Sequence, residues 1–284
     1  MKIGSFEIAG RATYGAVTDA GIVDIGKRLG HRWADVAALL ASEQGMAEAA
    51  ACVGSEGADA SLDEVTYLPV IPRAAKIFCI GVNYVDHLEE TKVRKSEHPT
   101  VFLRYWESQV GHRQAMLKPR ESTQFDFEGE VAIVIGRAGR RIAAADAWKH
   151  VAGYACYNDG SVRDWQVATS QWTPGKNFYK TGGFGPWMVT SDEIAPGQVM
   201  RLQTVLNGQV LQDTTTDKMI HSIPRQIAYI STFIPLSPGD VIVTGTPGGV
   251  GNKRNPQIFM KPGDVCEIVV DAIGTLRNGI RDDA

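Results

Sequence analysis

Cysteine is scarce and scattered. Cys52, Cys79, Cys156 and Cys266 are the only four in 284 residues, and no two form a CxxC pair. This excludes a zinc knuckle and speaks against a disulfide framework. Three of the four lie inside apolar strand-like runs, where a reduced thiol behaves as a small buried hydrophobe. An excess of one charge is also missing, since 29 basic residues face 32 acidic ones, for a net charge of −3 with no long block of either sign. A nucleic-acid or membrane-surface role is therefore not expected. No apolar run approaches the ~20 residues that cross a bilayer. Met1–Ala9 lacks the basic and apolar regions of a secretory leader. The expected location is the cytoplasm, and the expected partners are small molecules.

What is present is enough apolar material, 44% of residues, to bury a substantial core without staples. Lys2–Phe6, Thr13–Val17 and Ile22–Ile25 are expected as short strands, and Trp33–Leu40 as a helix. Residues 42–65 lose clear periodicity, which places a boundary near Leu68 between a small N-terminal α/β module (1–68) and a main domain (69–284). In that domain Lys76–Val82, Val131–Ile135 and Val241–Thr244 have the pattern of buried strands. A Pro-Gly-x-Val turn recurs at Pro196, Pro238 and Pro262, and Asn207-Gly208 marks a hairpin. Helices are expected over Ala143–Val151 and after Ser222, with Ile223, Ile227 and Ile230 on one face. The fold class is strand-dominated α+β.

The chemistry begins in Asp126-Phe127-Glu128-Gly129-Glu130-Val131. Side chains two apart on a strand share a face, so Glu128 and Glu130 point together. Paired carboxylates repel unless a cation or a proton lies between them, and an all-oxygen donor set suits Mg2+, Mn2+ or Ca2+. A third carboxylate is available in Asn158-Asp159, at the end of the apolar run Gly153–Tyr157. The alternative is a solvated strand face with no ion.

Five blocks, in order, closely resemble the fumarylacetoacetate hydrolase family from about Ile77 to Val270. They are Gly81–His87, Asp126–Glu130, Asn158-Asp159 with Arg163-Asp164 and Gln166, Gly175–Phe178 with Gly185–Trp187, and Thr244–Gly251. The resemblance implies a mixed β-sandwich or roll, with Glu128, Glu130 and Asp159 as ligands of Mg2+ or alternatively Mn2+. It implies a His87–Glu90 dyad, an active-site Lys176, substrate contacts from Arg163, Gln166 and Thr246, and a homodimer. Independently, His87 and Glu90 are three apart in a segment able to form a helical turn, so the carboxylate could orient the imidazole. Arg163 has the geometry for a carboxylate, its alternative being a structural salt bridge. Thr246 offers a hydroxyl and an amide to an anion in a loop that lacks the Gly-Lys-Ser/Thr ending of a phosphate loop.

Residues 86–98, crowded with Lys92, Arg94, Lys95, Glu97 and His98, are expected to form a mobile lid that delivers His87. Lys180 is expected at the surface. Arg104 and Gly182-Gly183-Phe184 depart from the family pattern and bear on substrate identity. The implied activity is metal-dependent cleavage of a carbon–carbon bond in a 1,3-dicarbonyl or 2-oxo acid of acylpyruvate or fumarylacetoacetate type. The alternatives are an isomerase, hydratase or decarboxylase on an aromatic-degradation intermediate and, from another class, a metal-stabilised binding protein without turnover.

Overall fold

Gly129–Ile135 is a strand with every residue buried, and its alternation separates two cores. Val131, Ile133 and Ile135 enter one apolar cluster, and Ala132 and Val134 enter another. Glu128 and Glu130 fall on the even-numbered side, so the two carboxylates cap the end of an apolar row.

The architecture around this strand comes from a computed structural model that describes residues 1–55, 57–92 and 96–283. It is strand-dominated α+β. The large sheet runs Gly21–Val23, Arg11–Thr18, Lys2–Ile8, Gly182–Thr190, Val151–Asn158, Gly129–Ile135, Val241–Val243, Ile77–Gly81 and Thr100–Arg104. Gln109–Val110 then pairs in parallel with Gly182–Thr190. The chain thus leaves one edge at Arg104 and rejoins the middle of the same sheet a few residues later, which rolls the sheet around the even-numbered side chains.

A second sheet runs Gln209–Thr215, Arg201–Leu206, Val265–Val270, Gly274–Asp282 and Met116–Lys118. Its Leu202, Ile268, Leu276 and Ile280 join the Val131 cluster. On the other side, Ile25, Val36 and Leu39 from the N-terminal helices pack with Ala132, Val134 and Val241. Lys2–Ile8 is hydrogen-bonded to Gly182–Thr190, so the residues before Leu68 extend the large sheet.

Local chemistry explains most elements. Asn207 and Gly208 have φ of 52° and 81°, as their hairpin requires. Ile223–Phe233 is a helix that buries Ile223, Ile227 and Ile230. Four local expectations are corrected. The Asp24 side chain accepts from the Lys27 N–H at 2.8 Å, ending the strand at Val23 and capping a helix at Ile25–Leu29. Asp35 caps in the same way, so the next helix is Val36–Leu40 and excludes Trp33. Glu43–Ser55 is a helix that the pattern hid, because its buried residues, Gly45 and Ala49, are too small to mark a stripe. Ala144–His150 is a 3-10 helix rather than an α-helix, since Val151 is drawn into the strand Val151–Asn158 and only Ala147 is buried.

Candidate active site

The strand register assembles the acidic cluster. Gly129 lies opposite Asn158 in the antiparallel pair, and the Asp159 N–H donates to the Glu128 carbonyl at 2.9 Å. Asp159 is thereby placed beside the Glu128-x-Glu130 pair. One carboxylate oxygen from each of Glu128, Glu130 and Asp159 lies within 4.8 Å of the others, and all three residues are buried. The residue between the glutamates has to be glycine, because a Cβ at Gly129 would be 2.0 Å from Thr204 Oγ1 of the second sheet.

Cations surround the acids. Lys176 Nζ lies 2.6 Å from Glu128 Oε2 and 2.7 Å from Asp159 Oδ2. Arg163 Nη1 is 2.6 Å from Glu128 Oε1. Burial opposes ionisation of Glu128, but Lys176, Arg163 and His87 outweigh it and push its carboxyl down to about 2. Glu130 goes the other way. Burial, then the charges of Asp159 and Glu128, hold its carboxyl well above the usual range, although the Gly245 N–H donates to it. A site that keeps one oxygen donor ionised and strains another toward protonation fits a hard cation, which would replace the proton. Among the described residues the three acids are the one such cluster.

His87 and Glu90 lie on the helix Val85–Thr91. His87 Nδ1 is 3.2 Å from Glu90 Oε2, and the Gly249 N–H donates to both Glu90 oxygens at 3.1 and 3.2 Å. The glycine-rich loop therefore fixes the carboxylate that orients the imidazole. His87 is buried and lines a cavity of about 170 Å³ shared with Glu128, Glu130, Lys176, Arg163 and Thr246. Within the segment expected as a lid, Arg94 and Lys95 lie outside the described residues, while His98 stacks on Tyr229. Lys180 is half-buried, with its ammonium over the Tyr179 ring.

Arg163 is occupied on two of its three nitrogens. Nε donates to Asp126 Oδ2 at 2.8 Å, and Nη1 donates to Gln166 Oε1 at 2.9 Å as well as pairing with Glu128. Gln166 thus touches Arg163 directly. Thr246 Oγ1 donates to the Gly129 carbonyl and accepts from Gln212 Nε2 at 2.8 Å. That hydroxyl is satisfied, and its main-chain N–H is the group with no hydrogen bond among the described residues.

Sequence reasoning missed several supports. Arg104, read only as a departure, is fully buried and pairs with Asp159 Oδ1, while donating to the Gly160 carbonyl and to Thr181 Oγ1. The signal was available, since an arginine at the end of the strand run Val101-Phe102-Leu103 must find a partner if the strand is buried. Asp126 accepts from Arg163 and from the Gly251 and Asn252 N–H groups. Gln212 accepts from the Gly129 N–H while donating to Thr246 and to the Pro247 carbonyl. Nothing in its polar hairpin neighbourhood marked it.

A rolled sheet ending in a buried carboxylate triad, with a histidine–carboxylate pair and a lysine in one cavity, defines a metal-site enzyme scaffold. Residues 76–281 match the family model described as fumarylacetoacetate (FAA) hydrolase C-terminal. The chain belongs to the fumarylacetoacetate hydrolase family, whose enzymes act on small molecules. Human oxaloacetate tautomerase FAHD2A, a mitochondrial protein, is 39% identical over 219 residues, covering 76% of this chain and 70% of that protein. The fumarylacetoacetate hydrolase of Exiguobacterium antarcticum is 29% identical with a TM-score of 0.83, covering 100% of both chains. Maleylpyruvate hydrolase from Sphingobium sp. SYK-6, solved with manganese(II) and pyruvate, is 26% identical with a TM-score of 0.84 over 100% of both chains. No helix among the described residues is long and apolar enough to cross a membrane.

Proposed function

We propose that this chain is a divalent-metal-dependent hydrolase that cleaves a carbon–carbon bond in a small 1,3-dicarbonyl or 2-oxo acid of acylpyruvate type. The observation that carries this reading is the His87–Glu90 pair held by Gly249 in the wall of the cavity that Glu128 and Glu130 enter. Glu128, Glu130 and Asp159 would hold Mg2+ or Mn2+, whose charge supplies stabilisation to an enolate oxygen. Manganese in the maleylpyruvate hydrolase supports a divalent ion here.

The chain's own residues divide the remaining work. Glu90 accepts the His87 Nδ1–H, leaving Nε2 as the base that takes a proton from water. Hydroxide adds to the acyl carbonyl. The carbon–carbon bond then breaks to give a carboxylic acid and the enolate of a 2-oxo acid, which takes up a proton. Lys176 keeps Glu128 ionised and holds the Asp159 carboxylate in place at 2.7 Å, and Arg163, Gln166 and the Thr246 N–H bind the substrate's anionic groups.

A second reading, tautomerisation of oxaloacetate, is favoured by the identity to the human tautomerase. It uses the same base and enolate without water addition. In both readings the protein works as a cytoplasmic homodimer, with residues 1–68 as a structural N-terminal module. The deciding experiment follows acetylpyruvate and enol-oxaloacetate by absorbance with Mg2+, with Mn2+ and after chelation. Metal-dependent loss of acetylpyruvate with formation of acetate and pyruvate establishes the hydrolase, and accelerated enol–keto conversion alone establishes the tautomerase. Silence on both substrates, with metal still bound, defeats both readings. Sedimentation equilibrium tests the dimer.

A further inference from the structure

A second cavity, of about 170 Å³, shares no lining residue with the catalytic one. Its apolar walls are Trp148, Tyr154, Ile194, Met200, Met219 and Ile223. The Thr216 N–H donates to the Met200 carbonyl at 2.9 Å, and the Met200 N–H donates to Thr216 Oγ1 at 3.0 Å, so one wall is tied shut by the backbone. A cavity of about 150 Å³ with such a lining takes up benzene, which sets the size of an occupant here at a single ring. The sulfurs of Met200 and Met219 suit the edge of an aromatic ring.

Two polar ends in this lining have no partner. Tyr154 is 2% exposed, and its hydroxyl makes no hydrogen bond among the described residues. Burial alone pushes that hydroxyl up to about 12, so it stays an O–H donor at neutral pH. The Trp148 indole N–H is likewise without a hydrogen bond among the described residues. A donor left unmatched in an apolar wall is costly, and an acceptor atom on a bound molecule recovers that cost. Charge narrows the choice further. No Lys, Arg or His is among the described residues of the lining, and its charged member is Asp217. An anion would be repelled there, whereas a neutral oxygen is not.

The same lining is strapped to the helix of His87. Met219 forms a β-bridge with Tyr84, the residue that starts Val85–Thr91. The Ile220 N–H donates to the Asn83 carbonyl at 2.7 Å, and the His221 N–H donates to Asn83 Oδ1 at 2.8 Å. Asn83 Nδ2 in turn donates to the carbonyls of His221 at 3.1 Å and Thr244 at 2.7 Å. Asn83 therefore links Met219–His221 both to the His87 helix and to the start of the glycine-rich loop. A ring seated against Met219 presses on that link.

We propose that this cavity is an effector site for an uncharged, single-ring phenol, whose occupation tightens the helix that carries His87. The site is separate from the triad, and neither reading of the reaction bears on it.

The full-length protein is titrated calorimetrically with phenol, toluene and benzoate. Phenol is expected to saturate one site, and toluene to bind about fivefold more weakly for want of an acceptor oxygen. Benzoate is expected not to bind. Tyr154→Phe should weaken phenol about fivefold and leave toluene unchanged. Val199→Trp, at a lining position that is 55% exposed, should occlude the mouth and weaken both. Thermal melts verify folding, and the exposed Val199 position keeps the test open if Tyr154→Phe is unstable. Amide hydrogen exchange of the segment Tyr84–Thr91, read by mass spectrometry, should slow at least about twofold with phenol bound. No saturation by about 10 mM phenol overturns the site, as does equal phenol binding by the wild type and the folded variants. Benzoate binding as tight as that of phenol overturns the choice of a neutral ligand, and binding with unchanged exchange in Tyr84–Thr91 overturns the effector role.

Discussion

A Cβ at Gly182 would lie 2.9 Å from Arg104 Nη2 and 2.7 Å from Gln109 Oε1. The two departures noted in the sequence are therefore one device, because the glycine makes room for the guanidinium that braces Asp159. Gly182→Ala should push Arg104 away from Asp159 and weaken Mn2+ binding about 10- to 100-fold, the usual effect of losing a partner behind a metal ligand. Calorimetric titration checks this, and an unchanged Kd would show that Arg104 has no hold on the ligand.

Arg104→Met should be worse for folding than for chemistry. It leaves Asp159 Oδ1 without its buried guanidinium, and breaking such a pair costs about 3–5 kcal/mol. Denaturant unfolding of the metal-free protein measures it. A loss below about 1 kcal/mol, the range of an exposed pair, would contradict the buried network.

Glu130→Gln should separate metal binding from stability. The folded carboxyl is raised by burial and by Asp159 and Glu128, so the native state holds a proton that the unfolded chain gives up near its ordinary value of 4.5. This proton contributes stability that is full below pH 4.5 and is lost as pH rises toward the elevated folded pKa. In chelator, the Glu130→Gln variant should therefore melt at or above the wild type, with a flatter decline above pH 4.5. Added Mn2+ should raise the Tm of the wild type but not that of the variant. A Mn2+-induced rise of equal size in both would remove Glu130 from the ligand set.

His87→Ala and Glu90→Gln probe the dyad. The first should lower kcat about 10²- to 10⁴-fold, the span of general acid–base catalysis, with metal affinity retained. The second should lower it less and shift the pH–rate profile, since Glu90 acts through the imidazole. Equal losses with unchanged profiles would mean that Glu90 only supports the helix.

His112 governs a different pH window. Burial, then the nearby Arg113 and Arg277 charges, push its imidazole down to about 4. The unfolded chain binds a proton near 6.5 that the folded chain refuses until about pH 4, so stability falls as pH drops through that interval. His112→Gln should flatten the Tm profile between those limits, and an identical profile would refute the assignment.

The sequence by itself determined the local pieces whose physics is local. The unbroken apolar run Val131–Ile135 fixed a doubly buried strand, Asn207-Gly208 fixed a hairpin, and the two-residue spacing of Glu128 and Glu130 put two carboxylates on one face. His87 and Glu90 were legible because one helical turn joins them. The ordered blocks then named the family, and with it Asp159 and Lys176.

Only the tertiary structure decided what depends on elements far apart in the chain. The register of Gly129 opposite Asn158 brings Asp159 to the glutamates. The return of the chain from Arg104 to Gly182–Thr190 puts an arginine behind Asp159. The Thr246 hydroxyl turned inward because Gln212 reaches it from the second sheet. Periodicity reports which face a residue occupies along its own strand, whereas a buried charge is satisfied by whatever the fold places opposite it.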